Sequence, residues 1–121
     1  MTITLNHTIV PARDKEASAR FFARLFGLEV EMPIGHFAAV RVNDTLTLDF
    51  ADREGFEPHH YAFHVSDREF DEIFARVQEA GLAYSSDPAH RRVGEINRRK
   101  GGRGFYFFDP DAHNWEVLTR A

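Results

Sequence analysis

Four residues combine the side-chain types and the spacing of a metal site. His7 and His60 each stand in a β-like run that opens one half of the chain. Asp49 and Glu116 each stand in the run that closes the same half. Neutral imidazole and ionised carboxylate both ligate divalent first-row ions, and two imidazoles with one or two carboxylates leave positions open for substrate, the pattern of a catalytic site. If a pseudo-twofold axis relates the halves, the four positions meet at one point. The chain has no cysteine, so thiolate ligands, disulfides and thiol nucleophiles are excluded. Taken singly, each residue has a plainer use: a strand histidine satisfies a local hydrogen bond, Asp49 can be an edge charge facing water, and Glu116 can be the polar member of an alternating strand. It is the repeated placement that favours a metal.

His64 lies two pairs along its strand from His60, which predicts that both point to the same face. There it is a candidate general base, the alternative being a packing or solvent-facing histidine. His59 alternates to the other face and reads as structural, and His36 and His90 carry no signal.

The elements that must position these residues follow from periodicity. Ile3 to Val10 alternates as a strand that Pro11 ends. Asp14 to Phe26 has apolar groups at Ala17, Phe21, Leu25 and Phe26, a helical spacing closed by Gly27. Strand-like runs follow at Leu28–Met32, His36–Val42 and Thr45–Phe50, with turns at Pro33-Ile34-Gly35 and Asn43-Asp44. After a polar linker from Asp52 to Pro58 the pattern restarts. His60–Val65 reads as a strand, and Ser66 with Glu69 as a capping box. Phe70, Ile73, Phe74, Val77 and Ala80 form a helical stripe closed by Gly81. Short strands are expected at Leu82–Ser85, Gly104–Phe108 and Asn114–Thr119, the last two separated by the turn Asp109-Pro110-Asp111. The chain is thus a βαβββ unit written twice, in register: His7 precedes Asp14 by seven residues, as His60 precedes Asp67. The repeat predicts an α+β fold with helices outside a curved, antiparallel-rich sheet.

At 121 residues with net charge −4, the chain is sized for one domain and lacks the basic excess of a nucleic-acid or anionic-membrane binder. No signal-peptide pattern or transmembrane run is visible, so a cytoplasmic location is expected. Twelve phenylalanines point to aromatic packing in a core or cavity wall. The segment between about Ser86 and Gly104 is long and basic, with Arg91, Arg92, Arg98, Arg99, Lys100 and Arg103. Such a segment is ordinarily a solvated loop. As a lid it would favour a substrate bearing carboxylate or phosphate.

The segments LNHTIVPARDKEASARFFARLFGLEV, HHYAFHV and GFYFFDPDAHNWEV resemble the vicinal oxygen chelate superfamily of glyoxalases, bleomycin-resistance proteins and extradiol dioxygenases, over nearly the whole chain. FDPDAHNWE is the most specific piece, with Ala112 where glycine is usual. The resemblance implies metal ligands at His7, His60 and Glu116, and a single domain (1–121) whose modules, about 1–52 and 58–121, form a curved mixed-sheet cup. It also implies a homodimer. Asp49 falls where glyoxalase I enzymes place a fourth ligand, normally glutamate; aspartate is one methylene shorter, which suits action through water or as a base. His113 recurs in relatives and is not taken as a ligand.

Fosfomycin thiol transferases are similar in MTITLNHTIV and HHYAF, but RRKGGRG replaces their serine-rich loop. Extradiol dioxygenases share Phe105-Tyr106 and Asp109-Pro110 leading to Glu116, yet Asn97, Arg98 and Arg99 stand where their signature wants a histidine. Bleomycin-binding members generally lack the ligands that this chain retains. The expectation is therefore a metal-dependent enzyme that chelates vicinal oxygens of a small substrate and stabilises an enolate, with glyoxalase-like isomerase or lyase chemistry first and Asp49 or His64 moving the proton. The alternative is a drug- or metabolite-binding protein. Zinc, nickel, manganese and iron all suit the ligand set.

Overall fold

The computed structural model describes residues 3–31 and 36–121; the turn expected at Pro33-Ile34-Gly35, and Met32, lie outside them. The chain forms two compact units, Met1–Glu57 and Pro58–Ala121. The first holds β1 (His7–Ala12), α1 (Lys15–Phe26), β2 (Ala38–Arg41) and β3 (Thr47–Asp52). The second holds β4 (His60–His64), α2 (Asp67–Glu79), β5 (Gly104–Phe108) and β6 (Asn114–Leu118). Each unit is a three-stranded mixed sheet with one helix, the α+β repeat expected from the sequence.

The repeat extends to register. In the first unit the order is β1-β3-β2, with β1 parallel and β2 antiparallel to the central strand. In the second it is β4-β6-β5 with the same senses. The strand expected before β2 is reduced to a bridge between Val30 and Val40, and the one before β5 to a bridge between Ser85 and Tyr106. Both shortened strands follow directly on a helix that ends at a left-handed glycine, Gly27 or Gly81.

β1 begins later than its alternation suggested, and Pro11 lies inside it. The ladder explains why. Thr47 N–H donates to the Asn6 carbonyl and Arg53 N–H to that of Ala12. Even-numbered residues of β1 therefore bond to β3, and Pro11, with no N–H to offer, is turned away from it.

Each helix starts where a side chain can serve its open N–H groups. The Asp14 carboxylate accepts from Ala17 N–H. Ser66 and Glu69 close a reciprocal capping box, an arrangement that contributes about 1 kcal/mol. The apolar stripe of α2, Phe70, Ile73 and Val77, is buried. Phe70 meets Phe105 edge-on at 5.3 Å between ring centres, and Phe74 meets Phe105 at 5.2 Å. In the first unit Phe22 of α1 lies 6.0 Å from Phe50 of β3. Phenylalanine thus mortars helix to sheet in both units.

Residues 86–104 are not a free loop. Asp87 accepts from the N–H groups of Arg91 and Arg92, the Asn97 amide donates to the Ser86 carbonyl, and Asn97 bridges Gly104. A single 3-10 turn, Arg99–Gly101, forms its tip.

Candidate metal centre

The sheet of the second unit has two different faces. Row by row, Phe107, Trp115 and Tyr61 face the core side, as do Phe105, Val117 and Phe63. The opposite face carries Phe108, Asn114 and His60 in one row, Tyr106, Glu116 and Ala62 in the next, and Gly104, Leu118 and His64 in the third. His60, Ala62 and His64 are exposed along that face, so His64 does share a face with His60.

Parallel pairing of β4 with β6 brings His60 and Glu116 together. His60 Nε2 lies 3.1 Å from Glu116 Oε1. The other ring nitrogen, Nδ1, lies 2.9 Å from the Asn114 carbonyl, which can only accept. Nδ1 therefore donates to that carbonyl, and Nε2 faces the carboxylate oxygen. A proton or a cation between Nε2 and the oxygen satisfies this contact. Two donors each about 2.1 Å from one ion, at angles between octahedral and tetrahedral, stand roughly 3.0–3.4 Å apart, and the observed 3.1 Å falls in that range. The pair fits two neighbouring ligands of a divalent ion, and the Asn114 carbonyl supplies the outer-shell bond that ligating histidines commonly make.

Tyr106 and Arg99 stand beside this pair, where the sequence reading did not place them. Tyr106 stands opposite Glu116 in the hairpin, on the same face of the sheet. The Arg99 guanidinium donates to the Tyr106 hydroxyl at 2.8 Å, and the Tyr106 ring stacks at 5.9 Å from that of His60. Burial, then the bond to Glu116 and its charge, push the Tyr106 phenol up, while Arg99 opposes them.

Asn114 ties this pair to the segment before β5. Its Oδ1 meets His90 Nε2 at 2.9 Å and its Nδ2 donates to the Pro88 carbonyl. The His90 ring stacks on Phe108 at 3.9 Å. His64 Nε2 donates to the Thr119 carbonyl at 3.0 Å, leaving Nδ1 as its free acceptor.

The remaining histidines are explained by packing. His113 is fully buried and its Nδ1 accepts from the His59 N–H at 2.8 Å. Beside it Asp109 accepts from the N–H groups of Asp111 and His113 and from Trp115 Nε1. That anchored turn sets the start of β6 and hence the place of Glu116.

In the first unit, His7 is exposed and its Nδ1 lies 2.9 Å from Asn6 Oδ1. Asp49 sits opposite Ile9, two residues beyond His7, as Glu116 sits opposite Ala62, two beyond His60. The two histidine–acid pairs therefore occupy the same register. Among the described residues, His60 and Glu116 are the pair whose side chains the structure brings into contact; His7 and Asp49 belong to the other unit.

A twice-written βαβββ unit, with a histidine on the first strand and an acid on the last, defines the class of chelating folds to which the sequence pointed. The chain belongs to the Glyoxalase/Bleomycin resistance protein/Dioxygenase superfamily, which it matches over residues 4–117. Members typically use a divalent metal, bind small molecules and often dimerise. The chain is similar to the solved structure of oxidase ChaP-H2, with 56% identity and a TM-score of 0.96 over 100% of this chain and 96% of that one. Oxidase ChaP-H1 is similar at 53% identity and a TM-score of 0.94, covering 99% and 98%. A curated relative, glutathione transferase FosA of Serratia marcescens, is 27% identical over 97% of this chain and 81% of its own length. No helix among the described residues is long and apolar enough to cross a membrane.

Proposed function

We propose that the chain is a metal-dependent enzyme that grips a small substrate through two neighbouring oxygens and oxidises it. Its ligands are His7, His60 and Glu116, and both modules act as one domain. The observation that carries this reading is the His60–Glu116 pair, an imidazole nitrogen and a carboxylate oxygen held 3.1 Å apart. Two histidines and one carboxylate form the ligand set of non-haem iron oxygenases, and whole-chain similarity to two oxidases favours iron and oxidation over the other ions and reactions. The ion, when bound, supplies Lewis acidity toward the chelated oxygens and one-electron chemistry toward an oxidant.

The chain's own groups do the positioning. Asn114 holds the His60 ring through its carbonyl, and Tyr106, braced by Arg99, lies beside Glu116 and stacks on His60. His64 Nδ1, free on the exposed face of β4, is the candidate to take a substrate proton, and Asp49 is the other. A homodimer completes the proposal. Ile3, Leu5 and Ile9 leave an exposed apolar row at and before β1 that a second copy would cover.

A second reading, glyoxalase-like isomerisation or lyase chemistry, is favoured by Asp49. Its register matches that of Glu116, which suits a base acting without an oxidant. The test is to load the protein with Fe(II) anaerobically, add oxygen with a catechol or an α-hydroxyketone, and follow both oxygen and substrate. Oxygen uptake matched to substrate loss, and abolished in Glu116→Gln, is expected. Substrate loss without oxygen uptake gives the isomerase reading, and binding without turnover leaves a sequestering protein.

A further inference from the structure

Beside Glu116 the second unit has a cleft of about 200 Å³ lined by Asn97, Arg99, Lys100, Arg103, Glu116 and Arg120. A second cleft of about 310 Å³ shares Arg103 and Arg120 and adds Arg98 and one acid, Asp67. No acidic residue occurs between Glu95 and Asp109. Cations therefore ring one turn, and the question is which of them are already spent.

Arg103 is spent. It pairs with Asp71 at 2.7 Å and Asp67 at 3.0 Å, and its guanidinium covers the Phe70 ring at 4.3 Å. It acts as a strut between the turn and α2. Arg99 uses one N–H on the neutral Tyr106 hydroxyl, which leaves its charge uncompensated by that bond. Lys100 and Arg120 have no hydrogen-bond or ion-pair partner among the described residues. Glu116, the one acidic side chain in the cleft wall, is engaged by His60.

The backbone constrains the turn at two points. Lys100 takes φ 54°, ψ 27°, a left-handed conformation that costs a non-glycine residue about 1 kcal/mol or more. Glycine would relieve that strain, yet a lysine stands there. At Gly102 a Cβ would lie 2.5 Å from Arg120 Cγ and 2.7 Å from Thr119 Oγ1. Only glycine lets the Arg120 stem lie against the turn at this distance. A strained lysine and a closely seated arginine thus border one cleft, next to a proposed metal ligand.

We propose that this cleft is an oxyanion subsite, in which Lys100, Arg120 and the free N–H groups of Arg99 bind a carboxylate or phosphate group of the substrate while its vicinal oxygens lie toward Glu116. Charge-assisted bonds from such donors are short and strong. The substrate is therefore an anion with its acidic group one cleft away from its chelating oxygens. The inference rests on the metal-enzyme reading for the word substrate, but the anion site itself does not need the metal.

The test uses chelator-treated protein titrated calorimetrically with inorganic phosphate and, in a second arm, with acetate; the tighter of the two names the group. Wild type should bind saturably. Arg120→Met and Lys100→Gly should each weaken binding at least about tenfold, and Arg24→Met, a cation on α1, should leave it unchanged. Lys100→Gly removes the charge while relaxing the backbone, so its melting temperature should not fall and lost affinity cannot be lost fold. Non-saturating uptake, equal weakening by Arg24→Met, or full affinity in both cleft variants would overturn the subsite. Phosphate binding in a protein that takes up no metal would sink the metal reading and leave the subsite standing.

Discussion

Asp109→Asn should destabilise the protein by about 1–3 kcal/mol, because Asp109 holds the turn that starts β6. Its Oδ1 accepts from Asp111 N–H and His113 N–H, both at 2.9 Å, and its Oδ2 from Trp115 Nε1 at 3.0 Å. The side chain is 6% exposed and that of Trp115 1%, so water cannot replace a lost partner. Asparagine keeps one acceptor oxygen but turns an NH₂ toward a donor, so at least one buried N–H is orphaned. Desolvation works the other way. Burial is the largest influence on the Asp109 carboxyl and pushes it up, and a neutral amide escapes that cost. The expected loss is therefore that of about one hydrogen bond to a buried donor, short of the larger cost of three. Trp115, the only tryptophan, reports on the site directly. Urea unfolding followed by its fluorescence and by circular dichroism gives the difference, at an unchanged denaturant slope. A variant within about 0.5 kcal/mol of wild type would refute the assignment of Asp109 as the anchor of this turn.

Two further outcomes follow from local geometry. Ala112 has φ 64° in the same turn, so Ala112→Gly should raise stability by about 0.5–1 kcal/mol; a destabilised variant would show that the alanine methyl is needed in the turn. Burial, and then the Asp109 charge, push the Tyr61 phenol up to about 12. The unfolded chain loses that proton first, so this residue makes stability fall as pH rises from about 10 to about 12. Spectrophotometric titration of the three tyrosines should show a last step that disappears in Tyr61→Phe, and its persistence would reassign it.

Much of the centre was legible because it is repeated. A histidine on the first strand and an acid on the last, in each half, singled out His7, Asp49, His60 and Glu116, and the ladders show both pairs in one register. The helices were legible through their apolar spacing and closing glycines, and the second also through its Ser66 capping box. What escaped depends on side chains acting at long range. Pro11 reads as a strand end, yet an edge strand in a parallel pair tolerates it where the N–H would point away from its neighbour. The segment from Ser86 to Gly104 reads as a solvated loop because nothing local shows that Asp87 and Asn97 will hold it. Tyr106 carried a signal that went unused. A hairpin turning at Asp109–Asp111 sets residues 106 and 116 opposite each other, which predicts a phenol beside the carboxylate. Arg99 carried none, since its reach to Tyr106 depends on the turn at Arg99–Gly101.

The central claim is that His60 and Glu116 are neighbouring ligands of one ion. Metal content after anaerobic reconstitution and desalting tests it most directly, measured on wild type, His60→Ala and Glu116→Gln with circular dichroism on each. The account predicts about one divalent ion per chain in wild type, lost in both variants with the fold intact. Wild type that retains no ion, or variants that retain it fully, would contradict it.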